Sequence, residues 1–118
     1  MIINNPFTDK SPAEIQSCFA DRNTEKDLAD AYAVSSNMFW WTADNIDDYD
    51  EDTPEYRTAC AVTDDWAALM DVYQSRVFVI LIKEGIRIPE TAPIHVLLPF
   101  MEQHGYICHS GWWYPENE

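Results

Sequence analysis

Glycine is scarce in this chain, at three in 118 residues. A glycine-rich phosphate loop, a dinucleotide fingerprint and a Gly-x-Ser-x-Gly elbow therefore have almost no material, and none is present. The same scarcity argues against many tight turns and for long regular elements. Positive charge is also thin: seven Lys and Arg are scattered against 21 Asp and Glu, for a net charge of −14. With no basic stripe, direct nucleic-acid binding is disfavoured. The longest apolar run, Val77 to Ile82, has six residues, far below the roughly 20 that span a bilayer. The three cysteines, Cys18, Cys60 and Cys108, are odd in number and far apart. They form no disulfide framework and suit a reducing interior. Met1 to Phe7 lacks the basic and apolar regions of a signal peptide. The expectation is a cytoplasmic protein with no membrane role.

What the chain has in abundance is acid and aromatic surface. Between Asp27 and Asp71 twelve carboxylates face a single base, Arg57. Such a field rejects phosphate backbones and anionic headgroups and attracts basic proteins or cations. Aromatics make up 14% of the chain, five of them Trp. That load separates it from disordered acidic tails and, with this length, suffices for one globular domain over 1–118.

Helix starts are legible. Ser11-Pro12-Ala13-Glu14 offers a hydroxyl cap, proline at the first position and a capping-box glutamate. Thr24 to Asp27 opens a second helix, and Thr53-Pro54-Glu55 a third. Thr63-Asp64-Asp65 either caps a fourth or lies inside one helix from Pro54 to about Glu84, and the acids after the cap favour the first option. Leu28, Ala31, Tyr32, Ser35, Met38, Phe39, Thr42 and Ile46 make one face of the second helix; Trp66, Leu69, Met70, Tyr73, Val77, Ile80 and Leu81 make one of the next. From Val77 to Ile82 the latter is apolar all round, which marks the segment 64–84 as the central helix of the core, with Gly85 as its C-cap. Ile94 to His104 reads as a last helix, in which Pro99 forces a kink or a later start at Leu98. Tyr106 to Tyr114 reads as a hairpin turning at Ser110-Gly111, with one of Trp112 and Trp113 buried. The expected fold is mainly α: a compact bundle of four to five helices, acidic over about 24–71, with a short C-terminal β-hairpin within 86–118.

Two features point toward function. Trp40 and Trp41 fall on opposite flanks of the second helix, more than about 90° from its apolar centre at 3.6 residues per turn, with Asp30, Asn37 and Asp44 between them. Aromatic anchors among charges are typical of interface hot spots. Because aromatics mostly serve the core, packing of each Trp on a neighbouring helix is the favoured reading. The acids Asp44, Asp47, Asp48, Asp50, Glu51, Asp52 and Glu55 form the second feature: a solvated helix end, a patch that steers a basic partner, or carboxylates at phosphate-like spacing. An EF-hand fails, since Thr53 stands where that loop needs Gly and Ala59 where it needs a bidentate Glu, counting from Asp48.

His104, Cys108 and His109, with His95 upstream, lack Cys-x-x-Cys or His-Glu-x-x-His spacing, so neither metal nor cofactor is expected. The leading expectation is a non-enzymatic module that occupies a basic site on a partner protein. By analogy of type it is an inhibitor or immunity-type protein, or a nucleic-acid mimic. One alternative is a small enzyme or ligand-binding domain with a pocket at Tyr73, Arg76, His95 and His104. Another is a homo-oligomer joined through Val77 to Ile82.

Overall fold

The computed structural model describes residues 11–22, 24–91, 93–109 and 111–115. Along the chain come α1 (Pro12–Cys18), α2 (Glu25–Asn45), a 3-10 turn (Ile46–Asp48), α3 (Pro54–Lys83), α4 (Ile94–Gln103), β1 (Tyr106–His109) and β2 (Trp112–Pro115). Among the described residues the protein is thus mainly helical, with four α-helices and a short antiparallel C-terminal hairpin.

Local chemistry explains the boundaries. Ser11 and Thr24 accept the N–H groups of Glu14 and Asp27, whose carboxylates accept back from the cap N–H, so both capping boxes close. The Thr53 hydroxyl accepts from Tyr56 N–H, and Pro54 follows where its missing donor does no harm. At the other end of α3, Gly85 has φ +86°. Ile86 N–H reaches Leu81 C=O at 2.9 Å and Gly85 N–H reaches Ile82 C=O at 3.0 Å, the paired bonds of a Schellman cap.

Three expectations need correction. Thr63-Asp64-Asp65 does not start a helix. Thr63 lies inside α3 and its hydroxyl donates to Ala59 C=O at 2.8 Å, so the group that would cap a new helix is satisfied within the old one. Pro99 does not delay α4, which starts at Ile94. It is the sixth residue, where its absent N–H forfeits one bond, to the His95 carbonyl. The segment 64–84 is not the central helix. That place belongs to α2, buried at every position from Ala31 to Met38. α3 covers one side of α2 and the hairpin another, while Val79 and Ile82 of α3 face outward, 51% and 59% exposed.

One buried cluster joins Ile15 and Phe19, the middle of α2, Trp66, Tyr73, Val77 and Leu81 of α3, Leu97, Phe100 and Met101 of α4, and Trp113. The hairpin register pairs His109 with Trp112 across the turn and Cys108 with Trp113; Ser110 lies outside the described residues. The pair flanking a two-residue turn is the hydrogen-bonded one, so the next strand residue, Trp113, turns its N–H and C=O away from β1. Asn37 meets them. Its Oδ1 accepts from Trp113 N–H and its Nδ2 donates to Trp113 C=O, both at 2.9 Å. The side-chain amide of a helix thus stands in for a third strand. Tyr32 packs edge-on against the Trp113 ring, and Tyr106 O–H donates to Asp30 at 2.6 Å.

Candidate functional site

α2 outruns the elements that bury it. Beyond Phe39 its side chains emerge: Trp40 is 47% exposed and Trp41 49%, so neither is packed away on a neighbouring helix. Trp40 contacts Phe39 edge-on, and Trp41 meets Trp112 of β2 with centroids 6.4 Å apart. No glycine closes α2. Instead Thr42 Oγ1 donates to the Met38 and Phe39 carbonyls, Asn45 Nδ2 donates to Trp41 C=O at 2.7 Å, and the chain tightens into the 3-10 turn. Tyr49 N–H then bonds Ile46 C=O, and Thr53 donates from both N–H and hydroxyl to Asp50 C=O. These bonds fix an apex at which α2 turns back into α3.

A groove of about 580 Å³ opens there. One wall is Trp41, Thr42 and Asn45 of α2; the floor carries Asp48 and Tyr49; the far wall is α3, from Pro54 and Glu55 to Thr58 and Val62. Of the residues singled out by sequence, Trp41, Asp48 and Glu55 line this groove. Asp44, Asp47, Asp50, Glu51 and Asp52 are exposed on the same apex, and Trp40 is outside the lining. Tyr49 and Val62, which also line it, were missed. Tyr49 carried the only local signal, as the single aromatic within the acidic run.

The apex is electrostatically uncompensated. Among the described residues the charge contacts are Lys26 with Asp30 and His104 with Glu25; none involves an apex acid. Asp44, Asp47 and Asp48 also stand at the negative end of the α2 dipole, and the last turn holds no base. The Tyr56 phenol is held above its ordinary value, first by its hydrogen bond with Cys60 and further by Glu51 and Asp47. Because the short connector makes α2 and α3 antiparallel, Arg22, Lys26, Arg76, Lys83 and Arg87 lie toward the other end of the pair. Among the described residues only Arg57 is close in sequence to the apex.

The alternative pocket residues lie on two elements, Tyr73 and Arg76 on α3 and His95 and His104 on α4 and its C-cap. Tyr73 is buried on α3 under the Arg76 guanidinium, 5.7 Å from its ring centroid, and burial pushes its phenol up. His95 is exposed on α4. His104 caps α4 against the Phe100 ring, its Nε2 buried without a hydrogen-bond partner and 3.6 Å from Glu25. None of these four lines the apex groove or the hollow between α1 and α3 described below.

No three His, Cys, Asp or Glu side chains converge to hold a metal ion among the described residues. No described helix is long and apolar enough to cross a membrane. No protein-family model, curated protein or solved structure matches the chain.

Proposed function

We propose that this protein is a non-enzymatic binding module whose apex groove receives a basic segment of a partner protein and blocks it, as an inhibitor or immunity-type protein of the cytoplasm would. The observation that carries the reading is Trp41, half-exposed on the wall of a groove whose other surfaces include Tyr49, Asp48 and Glu55. A lysine or arginine side chain gains twice in such a place. Aromatic faces attract its charge, and carboxylates pair with it in partly excluded solvent. The remaining apex acids steer encounter without needing to touch the partner. Local stability supports the same reading, since acids at the C-terminal end of a helix oppose its dipole and a cationic partner relieves them.

The test is affinity capture at low salt followed by titration of the purified partner. A partner of high pI is expected, with an association rate that drops steeply as salt is raised. Trp41→Ala is expected to weaken binding about tenfold or more, as loss of an interface anchor does. Neutral or acidic partners bound with no salt dependence would overturn the reading.

A further inference from the structure

A second surface, farther along α3, has a different character. Val72, Val79 and Ile82 are 45%, 51% and 59% exposed, and with Ala68 and Ser75 they follow the alternating four- and three-residue steps of a helical seam. At about 100° per residue the row lies some 150° round α3 from the buried Trp66, Tyr73 and Val77. The sequence-based interface of Val77 to Ile82 is therefore corrected: Val77 and Leu81 are 0% and 3% exposed and serve the core. Beside the N-terminal half of the seam, α1 and α3 enclose a hollow of about 290 Å³ whose lining includes Pro12, Ala13, Asp65, Ala68 and Val72.

Charge along the seam is polarised. Asp64, Asp65 and Asp71 flank its N-terminal half, and Arg76 and Lys83 its C-terminal half; all are exposed, and none makes an ion pair among the described residues. A second copy laid antiparallel answers the exposed apolar row and the charges at its two ends. Its Val79 and Ile82 come over the hollow at Ala68 and Val72, its Lys83 comes opposite Asp65, and the same contacts repeat about the two-fold axis. The two acidic apices then lie at opposite ends of the pair, away from each other. A parallel arrangement would force the two apices together.

We propose that this face of α3 is the self-association surface of the protein, forming an antiparallel two-fold dimer. The proposal does not depend on the apex groove, which lies at the N-terminal end of α3. A seam of this length is at the small end of stable interfaces, so the dimer dissociates on dilution.

Sedimentation velocity of the full chain over a wide concentration range, at about 150 mM salt so that distant charges are screened, tests it. A monomer–dimer equilibrium is expected. Ile82→Glu should weaken it at least tenfold with an unchanged circular dichroism spectrum. Asp65→Lys and Lys83→Asp should each weaken it, and the double variant should recover it. For orientation, Ala68→Cys and Val79→Cys are made singly in a chain whose three native cysteines are serine, then mixed under oxidation. The mixed disulfide should exceed either homodisulfide. A monomer at all concentrations, indifference to Ile82→Glu, failure of the charge-reversed pair to recover, or a predominance of homodisulfides would overturn the proposal.

Discussion

Replacing Asn37 by leucine removes both bonds to Trp113 and leaves that residue's N–H and C=O facing an apolar side chain. Stranded backbone groups are expensive, so a loss of about 2–4 kcal/mol is expected in urea denaturation. The hairpin amides should lose hydrogen-exchange protection before the helical ones do. Little of this was readable from the sequence. Helical counting put Asn37 with Asp30 on the acidic side of α2, where a polar residue needs no partner. Instead Asn37 is 4% exposed and Asp30 holds Tyr106. Periodicity reports which residues share a face and says nothing of what a distant hairpin brings to that face. Trp40 and Trp41 illustrate the converse. Counting set both off the apolar centre of α2, but their exposure depends on where α2 outruns its neighbours.

At the scale of elements, the link between β1 and α2 runs through Tyr106. Its phenol is well above the ordinary tyrosine range, chiefly because it is buried and further because its hydrogen bond to Asp30 favours the protonated form. Lys26 lies over the same ring and pairs with the same carboxylate. Tyr106→Phe is expected to lose about 1–2 kcal/mol at neutral pH. The sign of the pH effect follows from linkage. Below the ordinary value of about 10 the phenol is protonated in both folded and unfolded chains. Above it the unfolded chain releases the proton first, so the wild type loses stability that the phenylalanine variant never had. The gap between them should narrow as pH is raised beyond 10, measured by urea midpoints at each pH. Element boundaries were the most legible part of the chain. The caps at Ser11, Thr24, Thr53 and Gly85 are made by residues within a turn of each other, so local sequence carries them. The false start at Thr63 has the same composition as a true cap, and its hydroxyl is taken by the preceding turn. Which helix is central was not local information either, since an all-round apolar stretch at Val77 to Ile82 is equally consistent with a surface that waits for another molecule.

At the scale of the molecule, 21 acids against seven bases set a self-repulsion that the fold concentrates at one end. Screening should therefore stabilise the isolated protein while weakening the proposed binding of a basic partner. Raising salt from low to physiological strength is expected to lift the melting temperature by about 1–5 °C. Asp47→Asn with Asp48→Asn should start higher and respond less, because both acids oppose the α2 dipole. Scanning calorimetry at matched concentrations checks both. The acidic crowding of the middle third was visible in the sequence, but the apex groove was not, since it requires the return of α3 past Trp41. The thirty residues of α3 span about 45 Å, with most described bases toward one end and the apex acids Asp44 to Glu55 toward the other. A particle so built feels a torque before it feels a contact: a cationic body approaching from any side turns it end-on during diffusion. For the proposed basic partner the angular search that slows most docking events is shortened accordingly, and groove-first arrivals outnumber their geometric share.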